Sequence, residues 1–393
     1  MIHQKLYAKC LLRTLRHAIA VRRPARGTVF VPGVHHPDAT RRALLVHLVE
    51  PFRRDGVDTR HQNRFQASEL ARILATHDFR VDVLAPRGAL PPGTKPYDVV
   101  VDLHPGLTAF PRHSSTLHVA YITGSNPAFA NEAERVRLSD LARRRGRHLR
   151  ARRQTPEFSD ANLGRCSAML FIGNEHNLGT YAGLRLPPVH FVTNFAYRTT
   201  PAAATTGRLS RHFLFLASGG QVHKGLDLLL EVFAQRPEWH LHVCSNFHEE
   251  WDFVRAYRRE LFHLSNITPH GFLKLDSAEF VAVARRCGHV VLPSCSEATA
   301  GSVISAMAAG LRPVVSRECG FDEGLVDVLE TCEPDAIESL LARCASRSPH
   351  ELEAMSSRAI ESAADRFSPE AFTRSVESAL SSVLSSHPAV PSA

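Results

Sequence analysis

The chain has 393 residues, enough for about two domains with separate hydrophobic cores. No apolar run approaches the roughly 20 residues that cross a bilayer, and the first residues lack the apolar stretch of a secretory signal, so the composition excludes an integral membrane protein and gives no sign of export. The eight cysteines never form a CxxC pair, which favours buried thiols in a reducing cytosol over disulfides or zinc. The net charge of +8 is concentrated in two segments.

The first basic segment covers residues 1–42, with nine Lys or Arg and one acidic residue. Its apolar residues Tyr7, Leu11, Leu15 and Ile19 recur every fourth position with basic residues opposite, which predicts an amphipathic helix. Three interpretations stay open. The helix lies on an anionic membrane, packs on its own protein with its charges in water, or belongs to an organellar targeting peptide.

Strand and helix patterns alternate along the rest of the chain. The predicted strands are 43–50, 80–86, 97–103, 117–123, 168–174, 189–195, 212–218, 239–245, 266–272, 289–293 and 312–316, and the predicted helices are 61–77, 131–145, 226–235, 249–261, 277–287 and 301–309. This alternation predicts an α/β protein with parallel sheets. We expect an N-terminal domain over 43–197, a linker over 198–211, a C-terminal domain over 212–370, and a C-terminal helix and tail over 371–393 that can pack back on the N-terminal domain.

The second basic segment, "LARRRGRHLRARR" at residues 141–153, carries seven arginines and no acid. It either recognises an acidic acceptor, a phospholipid surface or nucleic acid, or is the solvated end of a helix. No aromatic residue interleaves with the arginines, which argues against nucleic acid. Elsewhere, His240 and His242 share one face of a strand, and without a third ligand they favour packing over metal binding.

A glycine turn follows the strand "HFLFLA". Gly219 and Gly220 let the backbone turn tightly and approach a ligand, Lys224 adds a mobile positive charge, and Gly225 keeps the start of the next helix open. Such a turn suits phosphate. Alone, it is more typical of a plain strand-to-helix connection with a surface lysine, because isolated glycine motifs are weak signals.

A second loop, "LPSCSEATAGS", strengthens the first. Glu297 stands in this loop and can accept hydrogen bonds from sugar hydroxyls. The alternative is a common one: a capping or first-turn acidic residue that the helix dipole favours. Thr299, Ala300, Gly301 and Ser302 open a helix of small residues, which leaves its backbone amides accessible to a diphosphate. Phosphate and sugar are then expected side by side.

Together the patterns "GGQVHKGLDLLLEVF", "LPSCSE" and "AMAAGLRPVVS" resemble the donor-binding half of glycosyltransferase family 4. The resemblance is specific over residues 212–325 and extends more loosely through "HQNRFQASELARILATHDFRVDVL" and "YITGSNPAFANEAERVRLSDLARRRG", the latter like an uncharacterised bacterial branch. It implies the GT-B fold, in which two Rossmann-like doubly wound domains face each other across a cleft. It also implies a retaining transfer of sugar from a nucleotide diphosphate donor without a metal or other cofactor.

The resemblance assigns roles to two residues and lacks two others. Lys224 matches the family lysine that neutralises the donor diphosphate, and Glu297 matches the first glutamate of the E-x7-E pair, which holds the donor sugar. The second glutamate is replaced by Ser305, and the arginine five positions before the lysine is replaced by Gly219. His223, Arg317 or a basic residue of the facing domain can compensate, and His104 of the N-terminal domain is a possible contact for the donor sugar.

The sequence therefore predicts a cytoplasmic glycosyltransferase, free or peripheral at the inner membrane face, that builds a surface or secondary-metabolite glycan. Its partners are a nucleotide sugar, a glycan, lipid-linked or small-molecule acceptor, and in one interpretation an anionic membrane, but no nucleic acid. Because Gly219 and Ser305 depart from the family pattern, the alternative is a catalytically inactive GT-B protein that binds nucleotide sugar or glycan in a regulatory or structural role.

Overall fold

A computed structural model describes residues 29–53, 62–196 and 206–386. The predicted N-terminal helix and most of the predicted linker lie outside these ranges. The described chain divides into two units: the N-terminal unit contains residues 29–53, 62–124, 157–195 and 369–386, and the C-terminal unit contains residues 125–156, 196 and 206–368. None of the helices in the described ranges combines the length and the apolar character needed to cross a bilayer.

The described residues form thirteen strands and twelve α-helices. The strands are β1 (Phe30–His35), β2 (Arg41–Val46), β3 (Phe79–Leu84), β4 (Val99–Asp102), β5 (Leu117–Ile122), β6 (Ala168–Ile172), β7 (Val189–Val192), β8 (Leu209–Leu216), β9 (His240–Cys244), β10 (Ile267–Pro269), β11 (Cys287–Leu292), β12 (Arg312–Ser316) and β13 (Asp327–Leu329). The helices are α1 (Gln62–Thr76), α2 (Pro127–Arg145), α3 (Asp160–Leu163), α4 (Glu175–Gly179), α5 (Leu226–Gln235), α6 (Trp251–Ala256), α7 (Arg258–His263), α8 (Ala278–Arg286), α9 (Gly301–Ala308), α10 (Pro334–Ala345), α11 (Pro349–Arg366) and α12 (Pro369–Ser386).

The N-terminal unit is built on a seven-stranded sheet in the order β1-β3-β2-β4-β5-β6-β7. Only the pairing of β1 with β3 is antiparallel. Strands β4, β5 and β6 are buried along their whole length, which explains why they read as nearly continuous apolar runs. The C-terminal helix α12 belongs to this unit and contacts α1 and β7.

The C-terminal unit is built on a six-stranded, wholly parallel sheet in the order β10-β9-β8-β11-β12-β13. Its core includes Phe213 and Phe215 of β8 and Leu229 of α5, all fully buried. One mostly parallel and one wholly parallel sheet, each covered by helices, confirm the predicted α/β class. Because the carboxyl ends of parallel strands carry the loops that bind ligands, the ends of β8 and β11 place the two predicted loops at one edge of the sheet.

The boundaries between the units differ from the sequence-based division. Residues 125–156 belong to the C-terminal unit, although they lie inside the segment 43–197. Leu141 is fully buried in the core of the C-terminal unit, and Leu138 and Leu149 pack against that core. These three leucines therefore give the segment apolar contacts with the C-terminal unit.

Several elements differ from their predictions. Strand β1 has no strand pattern because it contains Pro32 and Gly33, but such residues are tolerated at a sheet edge, where β1 lies. The sequence analysis predicts neither the short strand β13 nor the helices α3, α4, α10 and α11. The predicted helix over 249–261 is two helices, α6 and α7, which meet at Tyr257.

A buried guanidinium joins two helix ends in the C-terminal unit. Arg208 is 5% exposed and donates to the carbonyl oxygens of Ala284, Cys287 and Ala309, at 2.6 to 2.9 Å, and to Ser356. Those carbonyls close α8 and α9, whose last C=O groups have no partner within the helix. Burial lowers the pKa of Arg208 to about 10, so the side chain remains charged at neutral pH.

We expect Arg208→Met to lower the free energy of unfolding by about 3 kcal/mol or more, because it leaves several buried carbonyl groups without donors. Urea denaturation followed by circular dichroism measures this loss. Arg211→Met, which changes an exposed arginine three residues later, is the matched control and should change stability by less than about 0.5 kcal/mol. Equal stability of the two variants would contradict the role of Arg208.

Four histidines lie together on the six-stranded sheet of the C-terminal unit. His242 Nδ1 lies 3.1 Å from His270 Nε2, and its Nε2 lies 3.1 Å from His212 Nδ1, while His240 reaches Thr268 at 2.8 Å. The described residues contain no group of three His, Cys, Asp or Glu side chains arranged for a metal. Burial lowers the pKa of His242 to about 2 and that of His240 to about 4.

This cluster should make the C-terminal unit acid-sensitive. The pKa of His242 in the folded chain lies below its unfolded value near 6.5, so stability is complete above that value and falls as the pH drops below it. At pH 5 the loss from His242 alone is on the order of 2 kcal/mol. Thermal unfolding from pH 7 to 4.5 should show a smaller loss for His242→Gln than for the natural chain. Parallel profiles would contradict this.

Candidate functional site

The glycine turn links β8 to α5, and two of its glycines are required by backbone geometry. Gly220 and Gly225 have φ of +85° and +78°. A Cβ on Gly225 would lie 2.4 Å from the carbonyl oxygen of Pro293, which begins the second loop. Gly219 has an ordinary φ, and a Cβ there would meet Glu250 Oε1 at 3.6 Å, a normal contact. Gly225 therefore packs the two predicted loops against each other, while Gly219 can accept a side chain.

The amides of the turn already have an acceptor. Gly220 N and Gln221 N both donate to the carboxylate of Glu250, which is 6% exposed. Burial raises the pKa of Glu250, although the two amide donors and Arg152 oppose this. The turn is thus shaped around a carboxylate of the protein, and these two N–H groups are engaged rather than open to a ligand.

Lys224 and Glu297, the two residues predicted to bind diphosphate and sugar, form an ion pair with each other. The exposed fractions of their side chains are 9% and 13%. Ser294 Oγ donates to Glu297 Oε1 at 3.1 Å, and Cys295 N donates to the carbonyl of His223 at 2.9 Å, which fixes one loop against the other. Burial, with Arg153 nearby, lowers the pKa of Lys224 to about 7.

Ser125 holds the second loop from a different part of the chain. Its amide and its hydroxyl both donate to the carbonyl oxygen of Glu297, at 3.0 and 2.7 Å. Arg137 Nη1 donates to the carbonyl of Pro293 at 3.0 Å. Segment 125–156 therefore forms one wall of the site, and no local sequence motif indicated this.

The N-terminus of α9 lies at the end of the second loop. Thr299 and Ala300 are tied to the segment after β12, because Thr299 Oγ1 donates to the carbonyl of Gly320 and Ala300 N donates to that of Cys319. Gly301 and Ser302 are half-buried and begin the helix, where amides lack acceptors within the helix. This end of α9 therefore presents the partial positive charge that favours an anion.

The position of the missing second glutamate is closed to a ligand. Ser305 is 3% exposed, and its hydroxyl donates to the carbonyl of Gly301 one turn earlier, at 2.9 Å. The serine is thus bonded to its own helix.

His104 lies in the N-terminal unit, after β4. Its amide donates to Asp102 at 2.9 Å, and its ring lies 4.5 Å from that of Phe158. Its contact with a donor sugar stays a prediction.

The second basic segment is largely neutralised inside the C-terminal unit. Arg144 donates to Asp227 and Glu231 at 2.9 Å, Arg145 pairs with Glu260, and Arg152 pairs with Asp252. These arginines therefore hold segment 125–156 on the unit. This role differs from both predicted ones, which were binding of an acidic partner and a solvated helix end. The only sequence signal was that the chain outside the two basic segments is net acidic.

Residues 210–346 match the family model described as "Glycosyl transferases group 1". Over these residues the C-terminal unit is similar to a group 1 glycosyl transferase domain. The domain contains Lys224, Glu297 and the start of α9, so the predicted family resemblance is confirmed. A sequence search of curated proteins finds no match to this chain.

Solved structures share the fold at low sequence identity. Sucrose-phosphate synthase from Thermosynechococcus elongatus is 14% identical with a TM-score of 0.55 over 88% of this chain and 99% of that chain, and HepE from Anabaena, solved with UDP and glucose, is 14% identical with a TM-score of 0.52 over 87% and 99%. TarM from S. aureus is 13% identical with a TM-score of 0.50 over 72% of this chain, which spans about 54% of TarM's length. These structures have two Rossmann-like domains, and the predicted GT-B fold is confirmed.

We expect Lys224 to titrate near pH 7, well below the ordinary value of about 10.4 for a lysine side chain. Selective ¹³C labelling of lysine resolves this by NMR, and Lys224→Arg assigns the signal. Glu297→Gln should lower the pKa of Lys224 further, because it removes the carboxylate that favours the ammonium form. A Lys224 signal that titrates above pH 10 would contradict the burial of this amine.

Proposed function

We propose that this protein is a retaining glycosyltransferase that moves a sugar from a nucleotide diphosphate donor to a glycan, lipid-linked or small-molecule acceptor. The observation that carries the proposal is the contact between Lys224 and Glu297. In this ion pair a cation suited to phosphate directly contacts a carboxylate suited to sugar hydroxyls, and the two residues lie on the two loops of the matched domain.

The proposed chemistry depends on charge placement. The bond between the anomeric carbon and the donor phosphate oxygen breaks, and the acceptor oxygen forms the new bond on the same face. The departing phosphate oxygen takes the acceptor's proton. Negative charge develops on the diphosphate, and Lys224 with the amides of Gly301 and Ser302 stabilises it. The protein supplies the positive charge itself, so the proposal assigns no metal and no cofactor to the reaction.

Donor binding must exchange ion partners. In the structure Lys224 is neutralised by Glu297, whereas in the proposed complex it is neutralised by phosphate and Glu297 turns to the sugar. The diphosphate favours the ammonium form of Lys224, whose pKa is lowered to about 7. Above pH 7 we therefore expect donor binding to take up a proton.

The family pattern does not identify the donor nucleotide, because Ser305 stands where the family carries a ribose-binding carboxylate. The complex of HepE with UDP and glucose makes UDP-sugars the first donors to try. Donor hydrolysis and transfer across a panel of UDP-, GDP- and ADP-sugars, followed by mass spectrometry, tests the activity directly. We expect activity to survive EDTA.

Two variants test the assigned roles. Lys224→Met keeps the buried stem but removes the charge, and Glu297→Gln keeps the shape but removes the carboxylate. Each should reduce kcat/KM by about 100-fold or more, the scale expected when one charge-stabilising group is lost. Lys274→Met and Glu361→Gln change exposed residues of the same types in the same unit, and should leave turnover within twofold.

The outcomes separate the proposal from its alternative. Full turnover in Lys224→Met and Glu297→Gln would refute the assignment of the site. Tight nucleotide-sugar binding without release or transfer of sugar, under any acceptor, would instead support the catalytically inactive GT-B protein. Unfolding temperatures of all four variants show whether a lost activity reflects lost folding.

A further inference from the structure

The side chain of Arg153 crosses the glycine turn. A Cβ on Gly220 would lie 2.7 Å from Arg153 Cγ and 3.0 Å from Cδ, so the aliphatic part of the arginine occupies the space that any other residue at position 220 would fill. Gly220 also has a φ of +85°, which favours glycine. The turn therefore admits Arg153 because it lacks a side chain at this position.

The backbone beside Arg153 is fixed by a buried carboxylate. Glu134 of α2 is 1% exposed and accepts hydrogen bonds from Arg152 N at 2.8 Å, from Arg153 N at 3.1 Å and from Gln154 Nε2 at 2.7 Å. One residue later, the amide of Thr155 donates to Asn131 Oδ1 and its carbonyl accepts from Asn131 Nδ2. Arg153 thus projects from an anchored segment.

The charge of Arg153 is available, unlike that of its neighbours. Arg144, Arg145 and Arg152 pair with acidic residues, whereas within the described ranges the exposed guanidinium of Arg153 has no ion pair. It is close enough to Lys224 to lower the pKa of that amine. Arg153 therefore adds a second positive charge near Lys224, whose own charge is paired with Glu297.

The other candidates for a second cation fail on their surroundings. His223 Nε2 lies 2.7 Å from the carbonyl oxygen of Ser296 and must be the donor, and burial with Lys224 nearby lowers the pKa of His223 to about 3, so the ring is neutral. Arg317 pairs with Glu330 on the surface. Position 219, where the family carries an arginine, is glycine.

We propose that Arg153 is the second cation of the diphosphate site, supplied by segment 125–156 in place of an arginine in the glycine turn. The inference rests on the proposed function, because it assigns a residue to the donor of that reaction. Arg153 and Lys224 together supply two positive charges, which equal the two negative charges on the diphosphate bridge of a nucleotide sugar.

Isothermal titration with UDP, GDP, ADP and inorganic pyrophosphate tests the inference. With whichever of these probes the natural chain binds, Arg153→Ala should weaken binding by about 10- to 100-fold, the scale of a lost charge-assisted hydrogen bond. Arg147→Ala removes the same charge from an exposed arginine of the same run and should change binding by less than twofold. UMP, GMP and AMP should be less affected by Arg153→Ala than the diphosphates.

A rescue separates charge from loop shape. Gly219 has room for a side chain and no backbone strain, so Gly219→Arg in the Arg153→Ala background should restore at least part of the lost affinity. Gly220→Arg should not, because of its positive φ. A loss that neither Gly219→Arg nor Arg153→Lys reduces would mean that Arg153 only shapes the loop, and would overturn the inference.

The same experiments distinguish a failure of this inference from a failure of the proposed glycosyltransferase function. If the natural chain binds a diphosphate and Arg153→Ala behaves like Arg147→Ala, the inference is overturned while the proposed function stands. If the natural chain binds none of the probes and transfers no sugar, both are overturned.

Discussion

A buried ammonium group needs an anion, and this constraint organises the C-terminal unit. Lys224 lies at the rim of a turn with little access to water, where an isolated charge would be costly. In the structure Glu297 supplies the anion, and removal of water strengthens the attraction between them. The same shortage of water would strengthen the hold on a phosphate that replaced Glu297. A pair that neutralises itself in one state is thereby suited to bind an anion in another.

The three carboxylates around the turn differ in what they hold. Glu134 and Glu250 accept hydrogen bonds from backbone amides, so their loss would deform the chain itself. The partners of Glu297 include the side chains of Lys224 and Ser294, which can rotate away without moving the backbone. Of these three groups, Glu297 is thus the one able to exchange its partner for a sugar hydroxyl while the turn keeps its shape.

Local patterns predicted the sheets and the two loops, since a buried parallel strand, a glycine turn and a small-residue helix each depend on neighbouring residues. The family resemblance added the roles of Lys224 and Glu297. The placement of segment 125–156 could not be predicted, because Arg144 and Asp227 meet across 83 residues of sequence and a charged run does not name its partner. Glu250 and Arg153 could not be predicted for the same reason, because each contacts a glycine turn that is distant in the sequence.

The two departures from the family pattern, Gly219 and Ser305, have different consequences for donor binding. At position 305 the hydroxyl is bonded to its own helix, so the carboxylate of the family pattern has no substitute there, and in the proposed complex other groups would bind the ribose. At position 219 a cation is missing from the turn, yet an arginine from a remote segment reaches the neighbouring glycine. Because electrostatic attraction depends on where a charge lies and not on which part of the chain carries it, a lost motif residue is weak evidence for lost binding. The departure at position 219 is therefore compatible with an active donor site, and the departure at position 305 bears on which nucleotide that site prefers.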